Sequence, residues 1–388
     1  METYNKVNRD EVLVLTQKLI QIESVNPPGH VYDCAEFIRD WLINEGIDAI
    51  IEKFENVDNV VAKIGPEGGK RILLNGHFDV VPIGDANNWE YGPFDATYID
   101  GRIYGRGAAD MKSGVAAMMI AMKVLNSLGS KLQGQVFFMG IGDEETGSHN
   151  GTLALLEKYG STFDGAMVPE PTDLCIESAQ RGLRWIEVTI KGKACHAGRP
   201  HVGKNAIEHA ATIIGELKGI KFDAQHELFE EGLKEPSLSI TLISGGIKEN
   251  VIPEECKFII DRRMMPGETE ESILSEISHA IEKAAETGFV DTVKVVNKGW
   301  NPYVIDQGNP LLMKTIDSYK KVTHSTPTVR GKGGCTDASH LVDAGIPAII
   351  LGPGSANSSH TANESVDAER IALTAEIIIE AIIEYFKH

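Results

Sequence analysis

Apolar residues recur at helical spacing over residues 11–22 and 31–46, and again, enriched in Ala and Met, over 113–128. Residues 59–64, 72–74 and 135–141 read as buried strands, and 151–160 as the start of another helix. Helix and strand patterns alternating in this way imply βα units and a mostly parallel sheet. The pattern changes near Gln180. Residues 184–190 alternate as a half-exposed strand does, Trp185 and Glu187 against Ile186 and Val188. A helix follows over 205–217, then strands over 237–243 and 255–261, then a helix over 270–285. Half-exposed strands followed by helices suggest a small α+β domain with one open sheet face. After about Asp291 the first style returns, with a buried strand at 348–351 and a closing helix at 367–386. The expected fold class is α/β. A larger domain, 1–179 and 292–388, carries a mostly parallel twisted sheet flanked by helices, and a smaller α+β domain, 180–291, is inserted into it.

Composition narrows the function. At 388 residues the chain has room for two or three domains of about 150 residues each. Hydrophobic residues make up 42%, which argues for full cores and against disorder. The net charge of −19 disfavours a protein that coats nucleic acid or anionic lipid, since both need surplus Lys and Arg. No charge-free apolar run approaches the roughly 18 residues of a membrane helix. The start is polar and lacks a basic-then-apolar signal pattern. The five cysteines form no CxxC pair, so separate thiols in a reducing cytoplasm are expected.

Five clusters carry possible chemistry. Asn75-Gly76-His77-Phe78-Asp79 follows a strand, with His77 and Asp79 on one face at strand period. A carboxylate beside an imidazole can fix the tautomer of a metal ligand, or be a plain surface hydrogen bond. Gly105 to Gly114 invites a phosphate-loop reading, but Met111 stands where that loop needs Gly before Lys-Ser. The stretch reads instead as a flexible turn presenting Asp110 at the head of a helix, as a ligand or as a cap. Asp143-Glu144-Glu145 lies at a strand's C-terminal end, where α/β folds place their sites. Glu170 sits between Pro169 and Pro171, which restrict its direction. His360 lies in a loop before the last helix. Together His77, Asp110, Glu145, Glu170 and His360 are two imidazoles and three carboxylates. That set suits two divalent ions of the zinc, cobalt or manganese type, with one carboxylate bridging.

The five motifs in this order resemble the metallopeptidase family that includes acetylornithine deacetylase, succinyl-diaminopimelate desuccinylase, aminoacylase and glutamate carboxypeptidase. They are Gly-His-Phe-Asp at 76–79, Gly-Arg-Gly-Ala-Ala-Asp at 105–110, Asp-Glu-Glu at 143–145, Pro-Glu-Pro-Thr-Asp at 169–173, and His360. The resemblance implies that Asp110 bridges two ions, with His77 and Glu170 on one and Glu145 and His360 on the other. It implies zinc first, cobalt or manganese otherwise. Asp79 would orient His77, and Glu144 would be the general base for a metal-activated water. The inserted domain would be a lid and homodimer contact, with His196 holding the oxyanion. Arg181, Asn250, Arg263 and Gly334 would contact substrate, although Arg263 is as readily an ion pair with Asp261.

One departure stands out. Several desuccinylase and aminoacylase relatives carry Gly-Arg or Ala-Arg after the Asp of Gly333 to Asp337, and this chain has Ala338-Ser339-His340. His340 either faces substrate or begins the next helix. The implied activity is hydrolysis of the amide of an N-acyl amino acid in the cytoplasm. A dipeptidase or carboxypeptidase with the same ions and base is the alternative. A non-catalytic ligand-binding protein would have lost a ligand or the base, and all six residues are intact.

Overall fold

The computed structural model describes residues 7–222, 233, 235–284, 289–297 and 299–387. Two helices open the chain, α1 (Arg9–Gln21) and α2 (Tyr32–Asn44). The Asn8 side chain caps α1 by accepting from the N–H groups of Asp10 and Glu11, two of the donors that a helix start leaves free. Then come β1 (Ala49–Phe54), β2 (Val57–Ile64), β3 (Arg71–His77), β4 (Thr97–Ile99), β5 (Arg102–Tyr104), α3 (Lys112–Asn126), β6 (Gln135–Ile141), α4 (Thr152–Tyr159), β7 (Gly165–Val168) and β8 (Ile176–Gln180). The middle of the chain adds β9 (Gly182–Lys191), β10 (Cys195–His196), α5 (Ala206–Leu217), β11 (Ser237–Gly245), β12 (Val251–Ile252), β13 (Glu255–Met264), α6 (Glu270–Ala284), β14 (Val290–Val295) and β15 (Tyr303–Val304). The chain closes with α7 (Pro310–Thr323), β16 (Val329–Lys332), α8 (Ala338–Asp343), β17 (Ala348–Ile350), β18 (Ser365–Asp367) and α9 (Ala368–Phe386). The expected end of the helix at residue 285 lies outside the described residues.

The chain divides into two compact units, one of Met1–Ser178, Ile305–Arg330 and Thr336–His388, the other of Ala179–Val304 and Gly331–Cys335. In the first, the sheet runs β1-β2-β6-β3-β7-β17-β8. Its centre, β6-β3-β7-β17, is parallel, and the strands on either side are antiparallel. All seven residues of β6 are buried, as a strand covered on both faces must be. Helix α3 packs on α1, α9 and the central strands and is buried on nearly every side. Its small residues permit that closeness. At Gly114 an added Cβ would lie 2.2 Å from the Pro169 carbonyl oxygen.

In the second unit, β11-β13-β9-β14 form an antiparallel sheet. Ile186, Val188, Ile190, Phe258 and Ile260 fill one face against Ile213 of α5 and Ile277 of α6. Trp185, on β9, is exposed. This unit runs past the expected boundary at Asp291. β14 pairs with β9 over Val290–Val295, so this unit continues through Val304. The charged Asp291 and Lys294 on an edge strand hide its strand pattern in the sequence.

Candidate active site

Three parallel strands bring their carboxyl ends side by side. β3 ends on His77, level with Ile141 at the end of β6; Asp143, Glu144 and Glu145 follow β6, and Glu170 follows β7, on the other side of β3. Sites of α/β sheets form at such ends because the loops leaving them converge. Asp110 comes from the turn before α3, and His360 from the loop between β17 and β18. The expected helix-cap role of Asp110 is absent. The N-cap of α3 is Met111, with no side-chain cap bond, which leaves the Asp110 carboxylate for the cluster.

The geometry centres on Asp110. Its Oδ1 lies 3.1 Å from His77 Nε2 and its Oδ2 3.4 Å from His360 Nε2. His77 Nε2 is 3.5 Å from Glu170 and 3.9 Å from Glu144. His360 Nε2 is 3.3 Å from Glu145 Oε1. Within each of two triads, His77–Asp110–Glu145 and His77–Glu144–Glu170, one potential ligand atom per residue lies within 4.8 Å of the others. His77 is 1% exposed and His360 53%, so the cluster is walled on one side and open on the other. His360 holds φ 61°, a left-handed conformation uncommon outside glycine.

Asp79 does more than the sequence suggests. His77 Nδ1 lies 2.9 Å from the Asp79 backbone carbonyl, and the Asp79 carboxylate is farther off, at 3.5 Å. That carboxylate is turned onto the acidic loop. It accepts from the N–H groups of Glu144 at 3.1 Å and Glu145 at 3.2 Å, and from Asn26 Nδ2 at 3.0 Å. Asn26 also reaches Thr146 Oγ1 at 3.2 Å. Sequence reasoning passed over Asn26, and its only local signal is the Pro27-Pro28 pair that follows.

Crowded carboxylates raise one another's proton affinity. Burial pushes Glu144 well up, with Glu170, Asp337 and Glu145 adding to the effect and His77 opposing it. Burial likewise raises Glu145, against the pull of His360. The Glu145 carboxylate, 3.3 Å away, favours the protonated imidazole of His360 and pushes it up to about 9. Burial would lower His77, but Asp110, Asp79, Glu144 and Glu170 outweigh it and hold it well above its ordinary value. Taken alone, His77, Glu145 and His360 hold protons more tightly than usual. Divalent cations would replace them, and the nitrogen and oxygen donors suit zinc, cobalt or manganese. Glu145 Oε1 is buried and makes no well-formed hydrogen bond, as a metal-ligand oxygen would be. The residues therefore fit a metal centre.

The remaining residues belong to the second unit. His196, in β10, is exposed, and its Nδ1 accepts from the Gly198 N–H at 3.0 Å. Its strand pairs with β12, and Asn250, just before β12, is also exposed. Arg263 binds Asp261 through Nε at 2.8 Å and Nη2 at 3.3 Å, so the ion pair is realised. Its Nη1 lies 3.8 Å from Cys335 Sγ. Arg181 is half-buried and Gly334 exposed. In the first unit, Ser339 and His340 are buried in α8, so His340 is a helix residue.

A family model described as peptidase family M20/M25/M40 matches residues 73–384. A succinyl-diaminopimelate desuccinylase of Pseudoalteromonas atlantica is 30% identical over 376 residues, 95% of this chain and 96% of that one. Among solved structures, an M20 family metallo-carboxypeptidase from Sulfolobus solfataricus matches with a TM-score of 0.82 at 20% identity, over 98% of this chain and 100% of that one. The dipeptidase Dug1p from Saccharomyces cerevisiae matches with a TM-score of 0.77 at 18% identity, over 98% and 97% of the two chains. At such identities the two structures bear on the fold alone.

Proposed function

Because this chain belongs to peptidase family M20/M25/M40 and is an amidohydrolase, we propose that the cluster around Asp110 hydrolyses the amide bond of an N-acyl amino acid. One observation carries the reading: the two oxygens of Asp110 face two different imidazoles, His77 and His360. Asp110 would bridge two ions, with His77 and Glu170 on one side and Glu145 and His360 on the other. Zinc is the first candidate, then cobalt or manganese. When bound, the ions supply Lewis acidity to the scissile carbonyl and to water. Glu144 takes the proton of the attacking water and hands it to the leaving amine. Asp79 keeps Glu144 in place through its backbone N–H. His196 steadies the oxyanion, and Arg181, Asn250, Arg263 and Gly334 contact substrate. The second unit serves as lid and homodimer contact, and the enzyme works in the cytoplasm.

The test is hydrolysis by metal-depleted protein with zinc, cobalt or manganese restored. The panel is N-acetylornithine, N-succinyl-diaminopimelate, N-acetylmethionine and several dipeptides. Amine release from one acyl amino acid, only with metal, is the expected result. Cleavage confined to dipeptides would replace this reading with that of a peptidase, which the same carboxylates and imidazoles serve equally well.

A further inference from the structure

Glu364 lies in the loop that carries His360, four residues further on. It is fully buried, and so is its partner Arg106, at 2% exposure. One oxygen of Glu364 accepts from the backbone N–H groups of Ala109 at 2.8 Å and Asp110 at 2.9 Å. The other accepts from Arg106 Nη1. Arg106 also donates to the carbonyls of Thr361 at 3.3 Å and Pro82 at 3.2 Å, and packs over the Trp89 ring. The tether continues along the backbone. Gly105 N–H donates to the Glu364 carbonyl at 2.9 Å, and Ser365 pairs with Tyr104 where β18 meets β5. An added Cβ on Gly354, upstream in the same connection, would lie 2.2 Å from the Ala109 carbonyl oxygen.

We propose that Glu364, held by Arg106, is a positioning residue that fixes the Asp110 peptide against the His360 loop and so sets the affinity for the ion those two residues share. The carboxylate suits both tasks because it offers acceptors on two sides. A glutamine does not. Turned to accept from the two N–H groups, its amide presents its own N–H groups to the guanidinium. An orphaned buried cation is costly, so the pair is best exchanged as a unit. In R106M/E364Q the amide oxygen accepts both backbone N–H groups with no guanidinium left over. In R106M/E364M the packing is kept and the acceptor is lost.

The inference rests on the metal reading above, and the experiment separates the two. Metal-depleted full-length chains are titrated with Co²⁺ alone, by calorimetry and by the visible absorption of bound cobalt. Wild type is expected to bind two ions; binding of none would sink the metal reading itself. With two ions bound to wild type, E364Q should weaken one site about 10–100-fold, the range for losing a group that orients a ligand. R106M/E364Q should recover to within a few fold of wild type, while R106M/E364M stays weak. Circular dichroism checks that each variant folds. If E364Q does not fold, the two double variants carry the comparison. Equal cobalt affinity in those double variants, whether both wild-type or both weak, would overturn the role of Glu364.

Discussion

The two units treat their candidate site residues in opposite ways. In the first, the chemistry-bearing side chains gather at the ends of buried strands, joined by Asp110 from a turn and His360 from a loop. Four carboxylates and two imidazoles are crowded together, and the backbone N–H groups of Glu144, Glu145 and Asp110 are held by the Asp79 and Glu364 carboxylates. In the second, the core is a single apolar face under α5 and α6, and His196 and Asn250 project from exposed segments. Buried polar groups must be partnered, so their geometry is over-determined before any substrate arrives. Exposed groups are partnered by water. They acquire a fixed role only when a substrate or another surface covers them.

That contrast can be broken or sharpened by experiment. The largest effect should come from the buried side. Chelation is expected to abolish turnover, with zinc or cobalt restoring it. It should also lower thermal stability, since an ion at 100 times its Kd stabilises by about 3 kcal/mol. Glu144→Gln should cut kcat by about 10²–10⁴-fold, the usual worth of a general base; unchanged turnover at full metal loading would remove Glu144 from the chemistry. On the exposed side, His196→Ala should lower kcat about 10²–10³-fold, as loss of one oxyanion donor does. Its stability should stay within about 0.5 kcal/mol of wild type, as for other surface changes. A stability loss several times larger would make His196 structural.

Two smaller effects compare the units by stability. Phe258→Ala hollows the core of the second unit and should cost about 3–5 kcal/mol in denaturant unfolding, with cobalt stoichiometry unchanged. A loss of bound cobalt would mean that the metal cluster depends on the second unit's core. The smallest concerns Glu52 on the first unit's surface. Burial pushes its carboxyl up, but hydrogen bonds from Lys158 and Tyr159 outweigh this and hold it below its ordinary value. The stability this provides is fully present above the unfolded carboxyl's pKa. It is lost as pH falls through the lower folded value. The loss should be under about 1 kcal/mol, and Glu52→Gln should remove that pH dependence.

The residue types of the cluster were legible because their chemistry is uncommon in combination and each lies beside a recognisable strand end, turn or proline. The buried strands were legible from their apolar runs, and α3 from its Ala- and Met-rich helical pattern. β1 and β14 escaped notice, since both lie at sheet edges and carry charges that blur the strand period. Arg106 and Glu364 were visible as residues, but nothing local assigns them to each other. They are separated by 258 positions.

By itself the sequence determined which long segments are helices or buried strands, and the donor types. These follow from local periodicity and side-chain chemistry. Only the tertiary structure decided that β6, β3 and β7 lie side by side, that Asp110 turns away from capping α3, and that the Asp79 carboxylate grips the loop of Glu144. The physical reason is that each depends on which distant backbone groups need a partner once water is excluded, and that is settled by packing.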